Sequence, residues 1–268
     1  MNTLLALLAL TLLMVTDDAV GTELPSGDEI ARRINERDEG IAVSRTVTME
    51  MTEASGKTRI RETQGFRKYY GEEKRTVIFY LSPRSIRDTA FLTYDYADPE
   101  RDDDQWLYLP ALRKVRRISA SDRGDYFLGT DFTYEDIKLE TRVSLKDYQR
   151  KTVGEDQVDG AHCLRLESLP VSREIAEELG YSKVLQCVDD QIWMVRRAKM
   201  WDLKNQPLKT IHFRDIRQVQ GIWTPHLIEV VNHKTGHQTR FRFANVDYQT
   251  GVEDQIFTQN TLKRGWRR

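Results

Sequence analysis

The chain has 268 residues, enough for one large domain or two small ones with a sizeable hydrophobic core. Aromatic residues make up 9% of it and are spread along its length, which excludes intrinsic disorder, and its 15 Gly, 7 Pro and 2 Cys exclude a collagen-like chain and a disulfide-dense miniprotein. Lys and Arg number 41 against 42 Asp and Glu, and the net charge of -1 favours neither nucleic acid nor an anionic membrane surface as a partner.

The N-terminal segment predicts export to the periplasm. Residues 4–15 form an almost unbroken apolar run, too short to span a bilayer, which needs about 20 residues, but typical of a signal peptide. Ala19 and Gly21 are small residues that suit cleavage after Gly21, which would leave residues 22–268 as a soluble, exported protein. An uncleaved anchor and a cytoplasmic protein are the alternatives, because the first three residues carry no Lys or Arg. No Cys follows the run, so no lipid anchor is expected.

One helix is predicted next, and strands follow it. Ser26 and Glu29 form a capping box, and an apolar stripe extends the helix over residues 27–39. The hydrophobic period then changes to two, which predicts a strand with one solvated face; the alternating apolar residues are Val43, Val47, Met49 and Met51. Its hairpin partner ends near residue 70, and strands over 76–81 and 90–96 follow.

The second half of the chain predicts an antiparallel meander. The predicted strands, joined by turns rich in Gly, Asn, Asp and Pro, cover residues 146–154, 161–169, 181–189, 191–202, 207–218, 222–232 and 238–248. Short helices are possible only at 171–179 and 253–262, so parallel βαβ units are excluded. We see no internal repeat and no linker, and we expect residues 22–268 to form a single domain.

The two cysteines lie on consecutive predicted strands. If Cys163 faces Cys187, then Glu167 faces Lys183 in an oppositely charged cross-strand pair. In an oxidising periplasm the two thiols would form a disulfide that closes a loop of about 25 residues. The alternative is that both are unpaired small hydrophobic residues.

Motifs for catalysis, cofactors and metals are absent from the sequence. The nucleophile elbow, the P-loop, the dinucleotide fingerprint and the metalloprotease motif do not occur. His233 and His237 flank a hairpin turn, where their spacing does not indicate a metal site. The acidic residues 98–104 lack the Gly and terminal Glu of a calcium-binding EF-hand loop. We therefore expect no enzyme, no cofactor and no metal.

Two basic patches occur, one of them within residues 263–268. The other consists of Arg113, Lys114, Arg116 and Arg117. On a nearly neutral exported protein, such a patch is either a solvated strand face or a contact for a protein partner or a lipid headgroup, rather than a nucleic-acid site.

A specific block of sequence carries a family resemblance. Residues 105–119 read QWLYLPALRKVRRIS and residues 122–136 read DRGDYFLGTDFTYED. Together with Gly221-Ile222-Trp223-Thr224-Pro225 and Thr235-Gly236-His237-Gln238-Thr239, this block resembles the LolA-like "outer membrane lipoprotein-sorting protein" family. The resemblance covers residues 26–263 and implies a mainly β fold: a strongly curved antiparallel sheet, an unclosed half-barrel, with a few helices and loops over its concave face.

The resemblance also implies a function. Relatives of this fold hold acyl chains of lipoproteins or other lipids on the concave side, and the carrier has no catalytic residue to transfer to this chain. The expected protein is a periplasmic carrier or chaperone for a lipid or a lipidated protein, working between an inner-membrane exporter and an outer-membrane acceptor. The alternative is a periplasmic adaptor of an envelope exporter that has no lipid cargo.

The pattern of elements independently favours a cavity. About ten strands with so little helix either form a filled sandwich or leave an apolar gap, which flexible Met and aromatic side chains would suit. The candidate cavity residues are Met49, Met51, Phe79, Leu92, Trp106, Tyr108, Phe127, Phe132, Trp223, Phe241 and Phe243. The alternative is that they are ordinary core residues. We expect residues 127–132, around Gly129, to form a mobile lid loop.

Overall fold

The structure is a computed structural model that describes residues 23–98 and 101–266; the predicted signal peptide lies outside these residues. The described part contains four α-helices: α1 (Gly27–Glu36), α2 (Tyr134–Leu139), α3 (Arg173–Leu179) and α4 (Gln259–Arg264). None of these helices is long and apolar enough to cross a bilayer.

The strands of the described residues belong to one sheet of thirteen. They are β1 (Ala42–Thr52), β2 (Thr58–Tyr70), β3 (Glu73–Ser82), β4 (Ala90–Asp95), β5 (Asp104–Leu109), β6 (Lys114–Ile118), β7 (Tyr148–Val158), β8 (Ala161–Pro170), β9 (Lys183–Asp189), β10 (Val195–Trp201), β11 (Pro207–Val219), β12 (Ile222–Asn232) and β13 (Gln238–Asp247).

Every neighbouring pair of strands is antiparallel, and the sheet is open. Strands β1 to β6 lead outward from the middle of the sheet to one edge, and β7 to β13 lead back from the other edge until β13 pairs with β1. This confirms the predicted fold class, a mainly β protein built on an antiparallel half-barrel. The connection from β6 to β7, residues 119–147, therefore has to pass from one edge of the sheet to the other, and we call it the crossing segment.

The sheet is strongly curved. Thirteen strands about 4.8 Å apart would form a flat sheet about 58 Å wide. Yet the crossing segment, soon after it leaves the β6 edge, touches α3, which connects β8 to β9 near the opposite edge: a Cβ at Gly124 would lie 2.4 Å from the carbonyl oxygen of Glu178. Only glycine fits this close approach. The sheet thus has an inner face, covered by α1 and the crossing segment, and an outer face.

The hydrophobic residues pack in two layers. The main cluster lies between the inner face, α1 and the crossing segment, and includes Ile30, Tyr80 and Phe127. A smaller cluster lies on the outer face of β3 to β5, where Phe257 and Leu262 of the C-terminal segment cover it. The strands β3 and β4 are therefore buried on both faces.

The cysteine strands pair in a register that differs from the prediction by two residues. Cys163 lies opposite Asp189, and Cys187 lies opposite Arg165. The predicted pairing of Glu167 with Lys183 assumed that the cysteines face each other directly and is therefore wrong: Glu167 lies opposite Leu185. A shift of two leaves every side chain on its predicted face. Cys163 and Cys187 are diagonal neighbours and form a disulfide, packed with Val158.

Candidate functional site

A cavity lies between the inner face of the sheet and the crossing segment, and we call it the inner cavity. Its volume is about 150 Å³. One water occupies about 10–15 Å³ measured in the same way, so the space holds roughly ten water-sized groups. Most of its wall is aliphatic or aromatic: Val47, Met49, Ile137, Val184, Val195, Ala198, Met200, Ile211, Phe213, Ile228 and Phe241. The crossing segment thus covers the inner face without filling it.

Five of the predicted cavity residues line the inner cavity: Met49, Phe132, Trp223, Phe241 and Phe243. Met49 and Ile228 lie directly opposite Phe241 on its two neighbouring strands, so these side chains share the inner face. The ring of Phe132, in the crossing segment, packs on that of Phe241 with centroids 4.4 Å apart. One wall of the cavity is thus joined directly to its cover.

Four predicted residues lie on the other side of the sheet: Phe79, Leu92, Trp106 and Tyr108 belong to the outer cluster. The prediction placed them on the concave face, and the structure corrects this. The residues on the inner face of the same strands are Ile78, Tyr80, Phe91 and Leu107. Both faces of these strands are covered, so apolar residues occupy consecutive positions and show no alternation.

The two remaining predicted residues are buried but do not line the inner cavity. Met51 is fully buried opposite Thr239. Phe127 is also fully buried, with its ring centroid 4.9 Å from that of Phe91 and 5.4 Å from that of Tyr134. Residues 127–132, expected to form a mobile lid, belong mostly to the core: Leu128 is half-buried, and only Gly129 at the tip is exposed.

Buried polar contacts attach the crossing segment to the sheet. Asp136 caps α2 through the Thr133 backbone N–H at 2.8 Å and pairs with the fully buried Lys209 of β11 at 2.6 Å. Asp131 accepts hydrogen bonds from the Thr239 hydroxyl at 2.7 Å and pairs with His237 at 2.5 Å. These contacts give a structural role to the acidic residues of the GTDFTYED motif, which sequence analysis had treated only as a family signature.

The N-terminal helix holds the other end of the crossing segment. The Asn35 side-chain amide donates to the Val143 carbonyl at 2.8 Å and accepts from the Val143 backbone N–H at 2.9 Å. Arg37, just after α1, donates to the Thr141 carbonyl at 3.1 Å. Sequence analysis missed this contact, since Asn35 lies on the polar side of the α1 stripe and nothing local indicates a partner 108 residues away.

The inner cavity has one strongly charged end, which sequence analysis did not identify. Four arginines meet two glutamates there: Arg37, Arg45, Arg67 and Arg142 with Glu39 and Glu140. We call this set the arginine cluster. The Arg67 side chain is only 4% exposed and bonds both glutamates, at 3.8 Å and 3.3 Å.

The arginines keep both glutamates ionised. Burial alone would raise the pKa of Glu39, but the charges of Arg67 and Arg37 outweigh burial and hold its pKa well below the usual carboxyl value. Burial likewise opposes ionisation of Glu140, and the charges of Arg45 and Arg67 lower its pKa despite burial. The same electrostatic coupling implies that the arginines depend on these carboxylates to remain buried.

A pH dependence of stability follows from Glu39. Its pKa is lower in the folded protein than in the unfolded chain, so its contribution is complete above about pH 4.5 and is lost as the pH falls. We expect the melting temperature of the wild type to drop between pH 5 and pH 3. The variant Glu39→Gln should melt lower at pH 7 and should lose less between pH 5 and pH 3. Glu72→Gln, in an exposed turn, is the control and should behave like the wild type. If the melting temperatures of Glu39→Gln and Glu72→Gln fell equally between pH 5 and pH 3, this assignment would be contradicted.

The cavity lining reaches the surface near the start of β12 and the end of β13. Trp223 is 38% exposed there. Phe243 and Tyr248 are half-buried, and the Tyr248 hydroxyl lies 2.8 Å from that of Thr224. The Arg45 guanidinium lies over the Phe243 ring at 5.0 Å, so the arginine cluster adjoins this opening.

The predicted partner-contact residues lie on an edge of the sheet. Arg113, Lys114, Arg116 and Arg117 are all exposed at or in β6, whose second side pairs with no strand of the described residues. Arg117 pairs with Asp104 at 2.5 Å and Arg116 with Asp122 at 3.4 Å. Two of the four basic residues thus have acidic neighbours in the folded protein.

Comparison with known proteins gives one family match along most of the chain. Residues 72–264 match the model of a family described as "Uncharacterized protein". No curated protein matches the sequence at a significant level.

Two solved structures are similar in both sequence and fold. A DUF1329 family protein from Desulfovibrio piger is 29% identical, with a TM-score of 0.80 over 88% of this chain and 97% of its own. A putative outer membrane lipoprotein-sorting protein domain from Vibrio parahaemolyticus is 29% identical, with a TM-score of 0.80 over 89% of this chain and 98% of its own. A LolA superfamily protein from Nitrosomonas europaea, 19% identical, shares the fold with a TM-score of 0.66 over 88% of this chain and 99% of its own.

Proposed function

The chain belongs to the LolA-like "outer membrane lipoprotein-sorting protein" family, and from this premise we propose that it is a periplasmic carrier that buries an acyl chain of a lipid or lipoprotein in the inner cavity. The observation that carries the proposal is an apolar space left open between the sheet and its cover. Binding would be noncovalent, and the protein would act as a carrier rather than a catalyst.

The shape and chemistry of the cavity support this proposal. Its wall combines the flexible side chains of Met49 and Met200 with the rings of Phe213 and Phe241, and such residues adapt to the irregular path of a hydrocarbon chain. Trp223 and Phe243 continue the apolar surface to the outside, which gives the acyl chain a route of entry. An acyl chain in this space would exchange contact with water for contact with carbon atoms on all sides.

The proposal predicts a dependence of affinity on chain length. Each buried CH₂ contributes about 0.8 kcal/mol, which corresponds to at most a four-fold gain in affinity per carbon. We expect primary alcohols from octanol upward to displace a neutral fluorescent probe, N-phenyl-1-naphthylamine, more tightly with each carbon. The gain should end near roughly ten to twelve carbons, when the cavity is full. Affinity that does not change with chain length would contradict binding in the inner cavity.

Transfer requires partners, and the proposed partners are an inner-membrane exporter that donates the cargo and an outer-membrane acceptor. The exposed edge of β6, with its basic residues, has unpaired backbone groups and is a suitable docking element for an extended segment. The same edge favours the second candidate function, an adaptor of an envelope exporter without lipid cargo. The chain-length experiment separates the two, because an adaptor would not bind the alcohols.

A further inference from the structure

The charged end of the inner cavity holds more positive than negative charge. The arginine cluster contains four guanidinium groups and two carboxylates. Among residues 23–98 and 101–266, its arginines form ion pairs within 4.0 Å only with Glu39 and Glu140. Lys74, which is also close enough to influence both glutamates, is balanced by Asp95 at 3.3 Å. The cluster therefore carries an excess of two positive charges.

The other charges of the cavity wall do not compensate this excess. Glu135 and Asp136 also line the cavity, but both have cationic partners of their own. Glu135 pairs with Lys138 at 2.9 Å, a lysine it shares with Asp103, and also feels the charge of Arg123. Asp136 pairs with Lys209 at 2.6 Å. Arg150 adds a further cation to the wall and has a distant, exposed partner at 3.9 Å, Asp28.

The excess charge is held away from water. The Arg37 and Arg67 side chains are 7% and 4% exposed, and those of Arg45 and Arg142 are 16% and 24% exposed. Within the described part of the chain, the buried Nε atoms of Arg67 and Arg142 have no hydrogen-bond partner. Burial lowers the pKa of Arg37, and the charges of Arg67 and Arg142 lower it further against the opposing effect of Glu39. Buried cations with too few counter-charges and unused donors are unfavourable unless an anion joins them.

Arg45, Arg67 and Arg142 all line the inner cavity, and Arg45 adjoins its opening. We propose that the cavity selects amphiphiles with an oxyanion head, a carboxylate or a phosphate monoester, whose head lies on these three arginines while the tail extends along the apolar wall. This inference rests on the proposed carrier function. Guanidinium groups bind such heads through paired N–H donors, and the bond to a charged acceptor is stronger than one to a neutral hydroxyl.

The arrangement disfavours other heads. A quaternary ammonium head would add a cation to an existing excess of cations. A neutral hydroxyl would leave that excess uncompensated. The preference should therefore follow the charge of the head at constant chain length.

The test compares four twelve-carbon ligands by isothermal titration calorimetry at pH 7.5 on the full mature protein: laurate, dodecyl phosphate, dodecanol and dodecyltrimethylammonium. Laurate and dodecyl phosphate should bind about 10- to 100-fold more tightly than dodecanol, and the ammonium compound should bind least. In the double variant Arg45→Gln, Arg142→Gln, this preference should fall to two-fold or less, because the two anionic ligands lose their charged partners. Arg242→Gln, on the exposed side of β13, is the matched control and should keep the full preference.

The outcomes separate this inference from the carrier function. Equal binding of laurate and dodecanol to the wild type would overturn head selection and leave the carrier function intact. If none of the four ligands binds, the carrier function itself fails. Inorganic phosphate that displaces laurate with an affinity equal to that of dodecyl phosphate would also overturn the inference, since the cluster would then bind free anions without a tail. Should the double variant unfold, Arg142→Gln alone, with its more exposed side chain, should show a smaller loss of the preference.

Discussion

Replacing Asp136 with alanine should destabilise the protein by about 3–5 kcal/mol, because it removes the carboxylate partner of a fully buried lysine. The Lys209 side chain is 0% exposed, and its ammonium group contacts Asp136 at 2.6 Å and the Asp131 carbonyl at 2.8 Å. The same substitution also removes the reciprocal bond of the capping box at the start of α2, in which Asp136 accepts from the Thr133 backbone N–H. Urea unfolding followed by circular dichroism measures the loss.

A double-mutant cycle distinguishes an ion pair from a simple packing effect. If the cost arises from the unpaired charge of Lys209, then Asp136→Ala combined with Lys209→Met should be more stable than Asp136→Ala alone. Glu174→Ala, in the first turn of α3 and exposed, is the control and should change stability by less than about 0.5 kcal/mol. If the stability losses of the two single variants simply added in the double variant, the pair would not hold the crossing segment in the way described.

Replacing Phe241 with aspartate should abolish uptake of acyl chains. Phe241 is 5% exposed, lines the inner cavity and packs on Phe132, so the variant would place an unpaired carboxylate beside the proposed tail. We expect dodecanol affinity to fall at least 100-fold by displacement of the neutral probe. Ala244→Asp introduces the same group at an exposed position of the same strand and should bind normally. Normal binding by a folded Phe241→Asp protein would reject this face of the sheet as the binding surface.

A second variant tests the same site without a buried charge. Ala198 is 2% exposed and lines the cavity. The substitution Ala198→Phe would fill part of the space that an acyl chain would occupy. Excluding about four methylenes corresponds to roughly a 200-fold loss of affinity. The variant should fold and keep its melting temperature within a few degrees, so a binding defect would not be attributable to unfolding.

The sequence predicted side-chain direction well where one face of a strand meets solvent. On β1 and β13, polar residues alternate with Met49, Phe241 and Phe243, and the structure places all three on the inner cavity. It failed on β3 to β5, where Phe79 and Leu92 were assigned to the wrong face. The C-terminal segment covers the outer face there, so apolar residues occupy both faces. An apolar run without alternation does not indicate which side chains lie on the inner face and which on the outer face.

The charged parts of the site could not be predicted locally. Arg45 and Arg67 lie on the paired strands β1 and β2, and Arg142 joins them only because the crossing segment returns over these strands. The family resemblance implied a concave sheet but not that β6 and β7 lie at its opposite edges. Without that topology, residues 119–147 look like a surface connection instead of the cover of a cavity.

Native mass spectrometry of the protein isolated gently from a periplasmic extract tests the central claim most directly. A cavity made for a hydrocarbon tail should retain one, so the spectrum should contain a species heavier than the apoprotein by the mass of one lipid or acylated molecule. Collisional activation should release it, and the Ala198→Phe protein prepared in parallel should lack it. A wild-type spectrum with apoprotein alone, from cells and under conditions in which a known lipid carrier keeps its cargo, would contradict the account.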